Sequence, residues 1–281
     1  MKVQGLNIHP LKSARAIPLD SVDCRLDGFT YDRRFLLTEP DGAAITQREL
    51  QTLAQVTATP VPSGVHLTLA EKSLTALFEP ARRRSVSVWG TAIDAALATD
   101  AANETLSGWF GRPVLLAHMD ALARRGVNDP GAGPQAAVGF ADEYPILVTT
   151  TASLADLNAT LTQKGQPPVG MDRFRTNILI ENDTPWDEDV WEAIEIGGLR
   201  FDLLKPCTRC IMTTQDQMTG ERTGGNPIEG LAVKRMSADR RVPGVLFGWN
   251  AVVRGEGRLA VGDSVTVLSR RAERWPMKVR A

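Results

Sequence analysis

Residues 193–204, AIEIGGLRFDLL, carry the plainest structural signal in the chain. Ile194 and Ile196 alternate with other residues before Gly197-Gly198, and Leu199, Phe201 and Leu203 alternate after it. A period of two belongs to a strand with one buried face. Two consecutive glycines supply the positive φ angles that a two-residue hairpin turn needs. Working outward, MKVQGLNI, RRFLLTEPDG, GVHLTLA, RRSVSVWG, GRPVLLAH and GDSVTVL are short apolar runs bounded by Gly, Pro or Asp, and each predicts a strand.

Helical signals are fewer. SLADLNATLTQKG begins with Ser153 as the expected N-cap and Asp156 three residues on, places Leu154, Leu157 and Leu161 on one face, and closes at Gly165. TDAANETLSGWFG predicts a second helix with Leu106 and Trp109 towards the core. The expected fold is therefore mainly β with appended helices (α+β), arranged as two β-barrel-like domains. Residues 126–145, GVNDPGAGPQAAVGFADEYP, lack helical periodicity at their start and read as a junction or a functional loop. The division is placed between residues 1–120 and 121–275.

The 281 residues carry a net charge of −1, which exerts no global pull on nucleic acid or an anionic membrane. Anion binding must come from local clusters of Lys and Arg. No run approaches the ~18 apolar residues of a membrane span, and the strand-like start does not resemble a secretion signal. Three cysteines are too few and odd in number for a secreted disulfide framework. The expectation is a cytoplasmic protein with reduced thiols that binds neither nucleic acid nor membrane.

Two of those cysteines follow the hairpin directly, in KPCTRCIMTT, residues 205–214. A CxxC pair offers half of a four-ligand zinc site, but the other candidates, Cys24, His9, His66 and His118, are scattered. A thioredoxin-like dithiol belongs at a strand-to-helix junction, whereas Ile211-Met212-Thr213-Thr214 favours a strand. Two inert buried thiols are the bland alternative. Against it stand Lys205 and Arg209, cations that favour the thiolate, the form that binds soft metals. His66 and His118 read as structural, and His9 is near enough to Lys12 to be considered with the site. Arg173 and Arg175 alternate, as residues covering one face of a strand do.

KPCTRCIMTTQDQMTG resembles the cysteine motif of the MOSC-domain family, the molybdenum cofactor sulfurase C-terminal domain proteins. NIHPLKS, DRRFLL, ITQREL, SLADLN, RFRTNILIEN and VGDSVTVL resemble other stretches of its amidoxime-reducing branch, in the same order. The resemblance spans nearly the whole chain and implies an N-terminal MOSC-associated β-barrel followed by the MOSC domain. It implies a bound molybdenum cofactor (Mo-molybdopterin), with Cys210 as the protein's sulfur ligand and Cys207 as its neighbour. A thiolate suits a thiophilic metal. By motif position the resemblance carries cofactor contacts onto Lys12, Ser13, Arg34, Arg175, Asn177, Thr208 and Arg209, with Thr46, Gln47 and Arg48 nearby. Arg is suited to bidentate phosphate contacts and Lys to a point charge.

Departures from the family pattern fall at Ala14-Arg15, Thr208, Gln215, Gln217 and Met218. The implied reaction is reduction of N-hydroxylated compounds, amidoximes and hydroxylamines. One cysteine outside the pair cannot build an iron–sulfur module, so a separate ferredoxin-like or flavoprotein electron donor is expected. The alternative is a molybdenum cofactor or sulfur carrier that acts without redox turnover.

Overall fold

A computed structural model describes residues 1–278. The hairpin is where the glycines place it: strands Trp191–Ile196 and Leu199–Arg209 pair antiparallel, with Ile196 opposite Leu199. Gly197 and Gly198 take φ of 58° and 77° at its turn. It belongs to an eight-stranded sheet that runs Val265–Arg270, Trp191–Ile196, Leu199–Arg209, Val245–Val253, Ile146–Thr150, Ile178–Glu181, Lys2–Ile8 and Ile17–Leu19. The neighbours Ile146–Thr150 and Ile178–Glu181 are parallel. Parallel neighbours need a crossover, and helix Thr151–Gln163 lies within it. Trp191, Phe201, Trp249 and Phe29 fill the core of this sheet.

A six-stranded antiparallel sheet holds Phe35–Thr38, Leu115–His118, Thr91–Ala98, Lys72–Val88, Gly64–Leu69 and Thr57–Val61. Its separate core gathers Leu11, Phe35, Leu37, Leu67 and Leu116, closed by helix Asp100–Phe110 through Leu106. The fold is mainly β with appended helices, and its sheets curl into barrel-like units. The division between 1–120 and 121–275 does not follow the sheets. Lys2–Ile8 and Ile17–Leu19 lie in the larger sheet, and Ser21–Arg25 pairs with Gly257–Ala260.

Other expectations shift locally. The helix at 151–163 is capped by Thr150, whose hydroxyl accepts from the Ser153 amide, so the cap lies three residues before Ser153. Residues 211–214 form a 3-10 turn instead of a strand, with Cys210 in extended conformation just before it. Arg173 lies in a second 3-10 turn, Met171–Phe174, and Arg175 ends it in the left-handed region, so these arginines share no strand face. His66 and His118 are structural. The Nδ1 of His66 meets the Thr75 hydroxyl across a strand pair at 2.9 Å, and His118 stacks on Phe35.

Candidate functional site

The strand Leu199–Arg209 runs out of the core and delivers Cys207, Thr208 and Arg209 to the edge of a cleft of about 540 Å³. Cys210 follows at the strand's end. The loop after Lys2–Ile8 brings Lys12 and Ser13 to the same cleft, the loop before the 3-10 turn Gln51–Gln55 brings Thr46 and Arg48, and the turn at 171–174 brings Arg173 and Arg175. Residues 141–144, the end of the Gly- and Pro-rich loop, form the facing wall. Eight Lys or Arg side chains line the cleft against two carboxylates, Asp142 and Glu143. A chain of net charge −1 thus concentrates positive charge in one concavity, the local field an anionic ligand requires.

Some of that charge is neutralised internally. Lys12 is 7% exposed and gives its ammonium to Asp142 at 2.6 Å and to the Phe140 carbonyl at 2.8 Å. Burial lowers the Lys12 pKa, and Asp142 acts against that. Burial likewise opposes ionisation of Asp142, but Lys12 and the Trp89 indole N–H outweigh it and hold that carboxyl below its ordinary range. Arg173 bonds the Thr214 carbonyl at 2.8 Å and Asp216 at 3.2 Å, a structural tie beneath the cleft.

Arg48, Arg175 and Arg209 form no ion pair with a carboxylate among the described residues. Arg175 donates through Nη1 to the Ala14 carbonyl at 2.6 Å, while its buried Nη2 has no partner. Burial, then repulsion from Arg33 and Arg209, lowers its pKa from 12.5 to about 9. A guanidinium does not give up its proton at neutral pH, so the site carries a charge it does not itself satisfy. Backbone strain collects here as well. Ser13, Arg33, Trp89 and Arg175 all line the cleft with φ between 48° and 66°, a region that disfavours any residue with a Cβ.

The two thiols differ. Cys210 is exposed, and its Sγ accepts from Arg48 Nη2 at 3.3 Å. Cys207 is half-buried, and its Sγ accepts from Arg209 Nη1 at 2.8 Å. Arg209 Nη2 is spent on the Phe174 carbonyl at 2.6 Å. Among the described residues, no group of three or more His, Cys, Asp and Glu is placed to hold a metal.

The structure gathers Lys12, Ser13, Thr46, Arg48, Arg175, Asn177, Thr208, Arg209 and Cys210 round the cleft. Arg34 is not among the lining residues. It pairs with Asp27, and Arg33 faces the cleft in its place. Arg33 is held by Asp32, by Asn177 Oδ1 at 2.9 Å and by the Arg175 carbonyl at 3.0 Å. Asn177 is anchored from both ends of its amide, since its Oδ1 also accepts from the Leu147 amide and its Nδ2 donates to the Asn7 carbonyl. It supports Arg33. Thr46 is similarly occupied, its hydroxyl donating to Glu49 at 2.7 Å. His9 lies buried behind the guanidiniums, and burial together with Arg33 and Arg175 holds its pKa well below the ordinary value, so it serves as neutral support.

Sequence reasoning missed Arg33, Trp89 and Asp142. For Trp89 a signal existed, a bulky aromatic in the Trp-Gly position of a hairpin turn. Gln47, Gln215 and Gln217 have a structural part. Gln47 Nε2 reaches Gln217 Oε1 at 3.2 Å and Gln215 Nε2 reaches the Gln51 carbonyl at 3.0 Å, fastening the loop after the cysteines to residues 47–51.

A mainly β chain in two barrel-like units, with an exposed thiol in a cationic cleft, fits the class its sequence matches. The model of the MOSC N-terminal beta barrel domain matches residues 1–113 and that of the MOSC domain matches residues 135–266, and the chain belongs to the MOSC-domain family. Among curated relatives it is 28% identical over 277 residues to mitochondrial amidoxime-reducing component 1 of Danio rerio, covering 94% of this chain and 83% of that protein. The human protein of that name is 28% identical over 284 residues, covering 95% and 82%. Molybdenum cofactor sulfurase of Oryza sativa subsp. japonica is 26% identical over 289 residues, 92% of this chain but 34% of that protein.

No helix is long and apolar enough to cross a membrane among the described residues.

Proposed function

We propose that this protein is a molybdenum-cofactor-dependent reductase of N-hydroxylated compounds, amidoximes and hydroxylamines, supplied with electrons by a separate ferredoxin-like or flavoprotein donor. The observation that carries the reading is the exposed Cys210 thiol beside three arginines without a carboxylate partner. The residues fit the group. Cys210 offers one soft ligand, to which Arg48 donates at 3.3 Å, and the unpartnered Nη2 of Arg175 is available to a phosphate or a pterin carbonyl. When bound, the cofactor supplies the two-electron chemistry that removes the hydroxyl oxygen from nitrogen.

The chain's own residues do the rest. Lys12, Arg175 and Arg209 hold the anionic parts of the cofactor, with Ser13 and Thr208 at the rim. Phe174, Met212, Val242 and Pro243 give the cleft an apolar side that limits water. Arg33, fixed by Asp32 and Asn177, keeps Arg175 in its left-handed position.

Protein purified from a host that makes the cofactor is expected to contain molybdenum and to reduce benzamidoxime with an artificial reductant, but not with NAD(P)H alone. Cys210→Ala is expected to lose both metal and turnover while its unfolding free energy, measured without cofactor, stays within about 1 kcal/mol of wild type, since an exposed side chain contributes little to stability. Full molybdenum and activity in Cys210→Ala would remove Cys210 from the site. The likeness to molybdenum cofactor sulfurase and the second thiol, Cys207, support the carrier reading as the alternative. Molybdenum bound without any amidoxime turnover would favour it.

A further inference from the structure

Trp89 lines the cleft that holds both thiols. It sits at the tip of the hairpin between Lys72–Val88 and Thr91–Ala98, where Val88 faces Thr91 and Trp89-Gly90 forms the two-residue turn. Both turn residues have positive φ, 52° and 79°. Such turns favour Asn-Gly, so an indole at the first position is held against a local backbone preference. It is also 62% exposed, against the usual advantage of burying an aromatic.

Its orientation is fixed all the same. The indole Nε1 donates to Asp142 Oδ1 at 2.9 Å, the oxygen that also receives Lys12. The Arg48 guanidinium lies 5.0 Å from the ring centroid, and the same side chain reaches Cys210 Sγ at 3.3 Å. One guanidinium therefore separates the indole from the thiol. A smaller cavity of about 190 Å³ adjoins the cleft and shares Trp89, Asp142, Glu143, Tyr144 and Lys205 with it, so Trp89 stands on the wall between the two.

We propose that the exposed indole of Trp89, on the wall shared by the two cavities, is the platform on which the planar, unsaturated group of an N-hydroxylated substrate stacks, its remainder entering the side cavity lined by Arg125 and Asn128. Trp89 then sets the preference for aromatic over small aliphatic substrates. The proposal rests on the reductase reading for the identity of its ligand. Stacking of aromatic groups has the strength to shift affinity by about five- to tenfold.

Calorimetric titration of the cofactor-loaded protein with benzamidoxime and with acetamidoxime tests it without turnover. Trp89→Asn is expected to weaken benzamidoxime binding about five- to tenfold and to change acetamidoxime binding less than about twofold. Trp89→Phe, which keeps a ring but loses the bond to Asp142, should recover most of the benzamidoxime affinity. Asn-Gly suits the turn and offsets the lost contacts of the indole with Asp142 and Arg48, so thermal unfolding of Trp89→Asn should stay close to wild type, and that measurement separates a loss of binding from a loss of fold. Benzamidoxime that fails to bind wild type, binds the asparagine variant equally well, or loses affinity in parallel with acetamidoxime overturns the platform. If the protein reduces both amidoximes and the variant shows no selective loss, the platform falls and the reductase stands. If it binds benzamidoxime through Trp89 and reduces nothing, the reverse holds.

Discussion

Replacing Arg175 by Met should make the ligand-free protein more stable and less able to bind an anion. The guanidinium pays for its position: burial and the neighbouring Arg33 and Arg209 lower its pKa from 12.5 to about 9. At about 1.4 kcal/mol per pH unit, that is an upper limit of about 5 kcal/mol of unfavourable interaction. Partial solvent exposure reduces it, and the bond from Nη1 to the Ala14 carbonyl, 2.6 Å, returns about 1 kcal/mol. Met keeps the aliphatic stem and the same backbone conformation but removes the charge, so the net gain should be roughly 1–3 kcal/mol, or roughly 3–9 °C in unfolding midpoint. Because the lowered pKa still lies near 9, Arg175 is charged in both folded and unfolded chains at neutral pH, and the gain should be flat from about pH 6 to 8.

Thermal unfolding of cofactor-free protein reads this directly, with inorganic pyrophosphate as the anion probe. Pyrophosphate at about 100 times its Kd should add about 2.7 kcal/mol to wild type and much less to Arg175→Met. An Arg175→Met protein that melts earlier than wild type and responds equally to pyrophosphate would show that the charge is internally satisfied and that the cleft is not built round an anion.

Glu188 gives a pH signature of its own. It is buried beside Asp189 with one oxygen 3.0 Å from the Thr150 hydroxyl and the other unpartnered, and burial pushes its pKa up to about 7 from 4.5. The folded state then binds the proton more tightly than the unfolded one, so stability is full below about pH 4.5 and falls as pH rises through about 7. Urea unfolding of Glu188→Gln should match wild type near pH 4 and exceed it by about 3 kcal/mol near pH 8; a gap that is the same at both values would exclude titration of Glu188. The adjacent pair Arg33 and Arg34 should separate cleanly. Arg33→Gln breaks a buried ion pair and should cost roughly 3–5 kcal/mol in urea unfolding, whereas Arg34→Gln should cost about 1 kcal/mol or less and leave pyrophosphate affinity within about twofold in calorimetry.

The hairpin at 193–204 could be read from sequence because every cue was local, two glycines and alternation on both sides. The thiol pair could be read because its alternatives needed ligands that the chain does not place together. Arg34 could not be told from Arg33 by the same means. Which of two neighbours enters the cleft is decided by Asp27 and Asn177, one of them 144 positions away from Arg33. Arg173 and Arg175 looked like strand alternation because a 3-10 turn followed by a left-handed residue leaves the same spacing of apolar and basic residues. Lys72–Val88 was only partly visible, since Glu79, Arg82, Arg83 and Arg84 interrupt its apolar pattern at exposed or half-buried positions. At 150–153 the hydroxyls of both Thr150 and Ser153 are suited to capping, and only the geometry, with the Ser153 amide donating to Thr150, selects the earlier one.

The strand Lys2–Ile8 has a consequence for how the molecule is made. It is synthesised well before its partner Ile178–Glu181, which follows about 170 residues later. In the interval the meander from Gly64 to His118 can complete its own neighbours, because its hairpins close locally. The larger sheet is instead stitched shut from both directions of the chain. A cut near residue 120 would strip Lys2–Ile8 from Ile178 and Ile180 and leave an apolar strand edge bare, the geometry that invites aggregation. The two barrel-like halves are therefore topologically interlocked: they are not modules to be exchanged singly, and the cleft whose walls they share is inherited or lost as a whole.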